Sequence, residues 1–297
     1  MRSQAGFSLL ELTVAMGIML VVVGTGMSAI LQVVNSQQTI WNRTEMHSGV
    51  RSATELLQQE VGQAGRLPPL NAVTLNANVA AGAVPAGVTS TAGMFAGEQV
   101  VVDSGINQET VTISNVNSST QFTATFVNAH NNGVPVMAAG GFWGGVVPVA
   151  QANGSTATVL KLFGDINSDG NMLYIEYTCD TVGGNLYRNT MAWNAGAKPA
   201  LSPSMVLLRN IVGNPGNAAC FTYQTQVLNG VSFVTDVAIT LTVQTQQVDP
   251  LTQQFQKETK ALLNVSPRNI FDVWELASAG WTNRVQPIPP TVLALLP

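Results

Sequence analysis

Charged side chains are scarce in this sequence of 297 residues. Asp, Glu, Lys and Arg together make up 9% of the chain, and the formal net charge is −4 at pH 7. Such a charge-poor, mildly acidic surface offers no electrostatic footprint for a nucleic acid backbone. We therefore expect no direct binding of nucleic acid. Asn, Gln, Ser and Thr supply the polarity instead, which favours an exported, β-rich protein.

Histidine is almost lacking, since His47 and His130 are the only two. Most hydrolytic sites need a histidine as general base, and His47 falls in a stretch with helical periodicity. No G-x-S-x-G elbow, H-E-x-x-H helix or glycine-rich phosphate loop is present. His130 has no adjacent Cys or acidic cluster, so we interpret it as a polar loop residue rather than a metal ligand. The sequence predicts no catalytic residues and no enzyme.

Cysteine is also rare, with Cys179 and Cys220 as the only pair. An even pair in an oxidising compartment predicts a disulfide, and closing a loop of about 40 residues contributes ~3 to 4 kcal/mol. The alternative is two buried free thiols.

The chain does possess one long apolar stretch, from Gly6 to Leu31, with a single carboxylate at Glu11. No charged residue occurs between Leu12 and Leu31, a length of about 30 Å as a helix, which matches the hydrocarbon core of a bilayer. A secretory signal peptide would carry its cleavage site behind the apolar run. Here the short leader MRSQAG precedes the run, so a cut at that point would leave the membrane helix in place.

The stretch Gly6-Phe7-Ser8-Leu9-Leu10-Glu11-Leu12 closely resembles the prepilin motif of type IV pilins and type II secretion pseudopilins. The resemblance implies cleavage by prepilin peptidase between Gly6 and Phe7, methylation of the new Phe7 amine, and assembly into a helical filament. It also implies a leader in the cytoplasm, a single pass through the bacterial inner membrane and a head in the periplasm, or at the cell surface once assembled.

Glu11 is the residue whose chemistry needs an explanation, because a carboxylate near the end of a membrane span is costly without a partner. In the family, the glutamate at this place pairs with the terminal amine of a neighbouring subunit and sets the axial register. Phe7 and Glu11 also stand four apart, so a pair within one helix is an alternative. A boundary glutamate among lipid headgroups is the third reading.

Helical periodicity continues beyond the span to residue 66. Apolar residues recur at spacings of three and four, at Met46, Val50, Ala53, Leu57, Val61 and Ala64, with Glu60 placed largely off that stripe. Gly65 and Pro68 supply a stop. The segment 52–66 resembles the end of the long helix in the PilW/PulJ group of minor pilins; an ordinary amphipathic helix is the alternative. One helix over residues 7–66, with 7–31 in the membrane, is the prediction.

Alternation and turn residues organise the rest of the chain. We predict a linker over 67–92, read as a loop, an inserted β-meander over 93–140 and a head with one core sheet over 141–270. The tail, 271–297, is rich in Trp and Pro and is interpreted as an extended arm. Segments 173–188 and 265–270 again resemble the PilW/PulJ group. The fold class is therefore α+β: a long N-terminal helix packed on an antiparallel β-sheet head, as in pilins.

One stretch satisfies a calcium-loop pattern, D-x-N-x-D-G followed by five residues and a glutamate. Its oxygen ligands would come from Asp165, Asn167, Asp169, Asn171 and Glu176. The flanks read as strands rather than helices, so a plain hairpin turn is an equal alternative.

The sequence thus predicts a PilW/PulJ-like minor pilin or pseudopilin that initiates or caps a filament. The resemblance implies other minor and major pilins, prepilin peptidase and the inner-membrane assembly platform as partners. The competing hypothesis is a membrane-anchored surface adhesin that uses a pilin-like export signal.

Overall fold

The computed structural model describes residue 6, residues 8–68 and residues 73–297, with the backbone alone at 262 and 263. The chain divides into two compact units, which are described separately here. The first comprises Met1–Gly49 together with Gln244–Glu258, and the second comprises Val50–Val243 together with Thr259–Pro297.

Helix α1 runs over Leu9–Gln63 without a break. The predicted apolar stripe is confirmed in its last four turns, where Val50, Ala53, Leu57 and Val61 are buried. Glu60 is buried as well, so its placement off the stripe was wrong. The predicted stop is confirmed, because the helix ends two residues before Gly65, whose φ of 81° takes the chain out of the helix.

A close crossing of two glycines fixes the chain just after α1. A Cβ added to Gly145 would lie 2.1 Å from the backbone N and Cα of Gly65, and one added to Gly65 would lie 2.9 Å from the carbonyl oxygen of Phe142. Gly65 N–H donates to the carbonyl of Phe163 at 2.9 Å. No side chain fits between these two segments, so both positions require glycine.

The segment after α1 forms a five-stranded sheet with its own hydrophobic core. Its strands are β1 (Gly82–Gly87), β2 (Gln99–Val102), β3 (Glu109–Ser118), β4 (Gln121–Phe126) and β5 (Val136–Ala138). They pair antiparallel in the order β1-β4-β3-β2-β5. The predicted meander is present as β2–β3–β4, but the prediction of a loop over 67–92 was wrong at β1. Pro85 suggested a loop, yet an edge strand tolerates proline.

The head contains two large sheets of four strands each, rather than the one core sheet that the sequence suggested. The first has the order β10-β9-β8-β7, and the second centres on β13, which pairs with β11, β12 and β14. The bounds are β7 (Val159–Gly164), β8 (Leu173–Asp180), β9 (Asn185–Ala192), β10 (Val206–Arg209), β11 (Ile211–Val212), β12 (Phe221–Leu228), β13 (Val231–Gln244) and β14 (Lys257–Val265). Asn210, with a left-handed φ of 59°, separates β10 from β11, so these two short strands belong to different sheets.

The C-terminal tail is not the extended arm that its prolines suggested. It forms α2 (Arg268–Ser278), β15 (Val285–Gln286) and α3 (Pro290–Leu295), and β15 pairs in parallel with β6 (Gly141–Phe142). Val292 and Leu295 of α3 are buried in one cluster with Phe142, Phe163 and Tyr174. Ile270, Val273 and Ala277 lie on the buried face of α2, a helical spacing that the Trp and Pro content concealed.

A long N-terminal apolar helix followed by antiparallel sheets confirms the predicted α+β, pilin-like arrangement.

Candidate functional site on the N-terminal helix

A capping box closes the amino-terminal end of α1. Ser8 N–H donates to Glu11 Oε2 at 3.0 Å, and Glu11 N–H donates to Ser8 Oγ at 3.2 Å. This reciprocal pair satisfies two of the N–H groups that have no partner in the first turn of a helix. The S-x-x-E spacing was legible in the sequence, so this role of Glu11 was detectable there. The predicted processing site joins Gly6 to Phe7, and Phe7 lies outside the described residues.

The surface of α1 from Leu9 to Val34 is exposed throughout and, apart from Glu11 and a few uncharged polar residues, apolar. Leu9 is 82% exposed, Leu20 70% and Leu31 52%. By length and composition this helix is a candidate membrane span, and nothing in the described part of the chain covers it. So large an uncovered apolar surface requires lipid or neighbouring helices.

A buried ion pair anchors the other end of α1 in the second unit. Arg188 Nε in β9 donates to both carboxylate oxygens of Glu60, at 3.1 and 3.2 Å, and Nη2 of the same guanidinium donates to Oε1. The Tyr177 hydroxyl in β8 donates to Oε2 of Glu60. Burial opposes the charge on Arg188, but the hydrogen bonds and negative charge of Glu60 outweigh burial and raise the pKa of the guanidinium. Glu60 therefore fixes α1 to the first large sheet.

The residues of the calcium-loop pattern do not form one ligand set. Asp165 is buried, and its Oδ1 accepts the N–H groups of Asp169 and Gly170 at 3.0 and 3.2 Å, while Asn167, Asp169 and Asn171 are exposed in the turn. The Arg66 guanidinium lies 3.7 Å from Asp165 Oδ2, so a cation of the chain already faces this carboxylate.

Glu176, the last residue of the pattern, contacts other groups. It lies in β8 opposite Lys161, and its Oε2 accepts hydrogen bonds from Lys198 Nζ and the Tyr174 hydroxyl, each at 3.0 Å. Among the described residues no group of three or more His, Cys, Asp or Glu side chains is placed to hold a metal ion. The geometry favours the hairpin-turn reading, and calcium binding stays a prediction.

Cys179 in β8 and Cys220, which precedes β12, form a disulfide. The predicted disulfide is therefore confirmed, and it joins the two large sheets of the head. The alternative of free thiols was wrong.

His130 lies outside the named strands, as predicted for a polar loop residue, but it is buried and two acidic side chains face it. Its Nδ1 lies 3.1 Å from Asp103 Oδ2, and its Nε2 lies 2.8 Å from Glu109 Oε1. The hydrogen bond from His130 lowers the pKa of Asp103; burial works to raise the pKa of Glu109, but hydrogen bonds from Val127, Asn128 and His130 lower it. The cluster closes one end of the five-stranded sheet.

Comparison with known proteins gives one match. The family model of the prokaryotic N-terminal methylation motif matches residues 1–27. No curated protein and no solved structure matches the chain. The motif fits a type IV pilin-like protein. Such a protein is a substrate of prepilin peptidase and associates with other pilins through a membrane-anchoring helix. The motif thus indicates a structural subunit rather than an enzyme.

Proposed function

We propose that the chain is a minor pilin or pseudopilin of the PilW/PulJ kind, which prepilin peptidase processes and which enters a type IV pilus or a type II secretion pseudopilus. There it initiates or caps assembly beside other minor and major pilins, on the inner-membrane assembly platform. Before assembly the helix crosses the inner membrane once and the head lies in the periplasm. The observation that carries this proposal is the methylation motif over residues 1–27, together with the exposed surface of α1, which has no charged residue from Leu12 to Asn42.

That surface supports assembly rather than catalysis. In lipid, the apolar residues from Leu9 to Val34 face acyl chains, and in a filament they face the same residues of neighbouring subunits. Cβ atoms added to Gly17, Gly24 or Gly26 would meet nothing within 4 Å in the described chain. These bare positions allow the close approach of another helix backbone.

Replacement of Gly6 by valine tests the processing step. A Cβ at Gly6 would meet no atom within 4 Å, so Gly6→Val leaves the fold intact while it places a branched side chain beside the scissile bond. In a host that contains prepilin peptidase, mass spectrometry of the wild-type chain should show N-methyl-Phe7 as the first residue. The Gly6→Val chain should keep Met1 and form no filaments. Gly17→Ala, at a position equally free of contacts, should be processed normally. A wild-type chain that still begins at Met1 contradicts the proposal.

Replacement of Glu11 separates its charge from its capping role. Gln can still accept the Ser8 N–H but carries no charge, whereas Ala loses both the charge and this acceptor. The bond from the residue-11 N–H to Ser8 Oγ uses the backbone and persists in both variants. If the carboxylate pairs with the amine of a neighbouring subunit, both Glu11→Gln and Glu11→Ala should lower incorporation into filaments by about tenfold or more, the effect of losing one charged hydrogen bond. Immunoblots of sheared filaments measure this. Glu45→Gln, at an exposed position of the same helix, should have no effect.

The same variants test the adhesin alternative. A surface adhesin needs the apolar helix as an anchor but has no need of an intersubunit charge pair. If Glu11→Gln is incorporated normally, the assembly role of the charge is wrong and the adhesin reading gains support.

A further inference from the structure

The loop between β13 and β14 runs beside α1 in the first unit. Gln38 Nε2 donates to Gln247 Oε1 at 2.7 Å, the Thr39 hydroxyl donates to Asp249 Oδ1 at 3.2 Å, and Arg43 donates to Gln256. These contacts place loop residues 247–256 at the same level along the helix axis as residues 38–43.

This level of the first unit presents large apolar side chains and no exposed charge on the loop. Five of them are exposed, to between 39% and 74%: Ile40, Trp41, Val248, Leu251 and Phe255. We call these five residues the apolar edge. Asp249 is the only charged residue of loop 245–256, and it is 3% exposed. Its Oδ1 accepts the N–H of Leu251 at 2.7 Å and that of Thr252 at 3.2 Å, besides the Thr39 hydroxyl, so hydrogen bonds from the loop and from α1 satisfy the carboxylate.

The length of the uncharged helix indicates where this level lies relative to a bilayer. No charged residue or histidine occurs from Leu12 to Asn42, and Arg43 is the first. The distance from Leu12 to Trp41 along the helix is about 44 Å, which equals the thickness of a bilayer with its headgroup regions, ~40 to 45 Å. This placement sets the hydrocarbon core further along α1 than the span 7–31 predicted from the sequence. Tryptophan is enriched at that boundary because its ring is apolar with one polar N–H group.

We infer that the apolar edge inserts into the outer headgroup layer of the membrane that α1 spans. The inference rests on the membrane anchoring in the proposed function and not on the filament role. The loop then sets the depth of α1 in the bilayer and prevents rotation of the helix while the subunit remains in the membrane. Because the edge itself contains no Lys or Arg, the attraction is apolar and should not require anionic lipid.

Single fluorescent labels can locate this edge in the full chain. Since Cys179 and Cys220 are bonded to each other and are the only cysteines, one introduced cysteine is the only free thiol. Leu251→Cys and Phe255→Cys report on the edge, Leu20→Cys reports on the span, and Ile106→Cys, at a residue that is 100% exposed, reports on water. Each chain is labelled with an environment-sensitive dye and inserted, one copy per disc, into nanodiscs of phosphatidylcholine with or without phosphatidylglycerol.

Spin-labelled lipids then measure depth through loss of fluorescence. We expect labels at 251 and 255 to emit at shorter wavelength than the label at 106, and to be quenched more by a headgroup spin label than by one deep in the acyl chain. The label at 20 should show the opposite preference, and both lipid mixtures should give the same result.

Two other results overturn the inference, and they differ from failure of the proposed function. If the labels at 251 and 255 emit at the same wavelength as the label at 106, while the label at 20 is still quenched by the deep spin label, the apolar edge stays in water. Protection of 251 and 255 only at several copies per disc shows that a second subunit covers the edge. Loss of deep quenching at 20 removes the membrane anchoring itself, and the proposed function with it.

Discussion

Glu60→Ala should lower the free energy of unfolding by about 3 to 5 kcal/mol, the usual cost of removing one partner from a buried ion pair. The Glu60 side chain is 6% exposed and that of Arg188 26%, so the substitution leaves a cation in a largely desolvated place. It also leaves the hydroxyl of Tyr177, which is fully buried, without its acceptor. Denaturant unfolding of the full chain in detergent, followed by fluorescence, measures this loss.

Three comparison variants separate the ion pair from simple truncation. Glu60→Gln keeps an acceptor for Tyr177 and should lose less than Glu60→Ala. Glu60→Leu combined with Arg188→Leu removes both charges and should recover much of the stability. Glu55→Ala, which breaks the exposed pair with Arg51 one turn earlier, should cost ~0.5 kcal/mol or less. A similar loss for Glu55→Ala and Glu60→Ala would show that α1 is not anchored through Glu60.

Glu98→Gln should stabilise the chain at alkaline pH and change little in acid. Glu98 is 1% exposed, and burial raises the pKa of its carboxyl to about 8, although a hydrogen bond from Phe95 N–H opposes the shift. The unfolded chain then releases a proton that the folded chain retains, so stability is highest below the ordinary glutamate pKa and falls as the pH rises towards 8. Between pH 5 and pH 8 the loss is of the order of 3 kcal/mol.

Glutamine does not titrate, so Glu98→Gln removes this pH dependence of stability. Its side-chain oxygen can still accept the Phe95 N–H. The difference in unfolding free energy between variant and wild type should grow steadily from pH 5 to pH 8. Glu275→Gln, at an exposed position of α2, should give a flat difference over the same range. If the Glu98 difference is equally flat, the carboxyl is ionised in the folded chain.

Features that depend on neighbours in sequence could be predicted well. The apolar stripe of α1 needed only the spacing of Val50, Ala53, Leu57 and Val61. The processing motif and Glu11 are likewise local. Each of these follows from one segment and its own periodicity.

Features that depend on distant partners could not be predicted, apart from the disulfide between the two cysteines. Glu60 reads as a surface residue until Arg188, 128 positions away, is placed beside it. His130 reads as a loop residue because Asp103 and Glu109 are 27 and 21 positions away. The calcium-loop pattern shows the reverse case: its spacing is local, but the strand pairing directs Glu176 towards Lys161 and Lys198. Long-range pairing decided all three.

The glycine crossing after α1 gives a means of finding distant homologues. A Cβ at Gly145 would lie 2.1 Å from the Gly65 backbone. Selection should therefore remove substitutions at either glycine for as long as the two segments cross, even while the surrounding sequence changes. A search template for such homologues would require three features. These are an acidic residue five positions before a glycine at the end of the pilin-type helix, a second glycine downstream, and an arginine at the Arg188 position. Such a template could identify related chains even where ordinary sequence alignment no longer detects similarity.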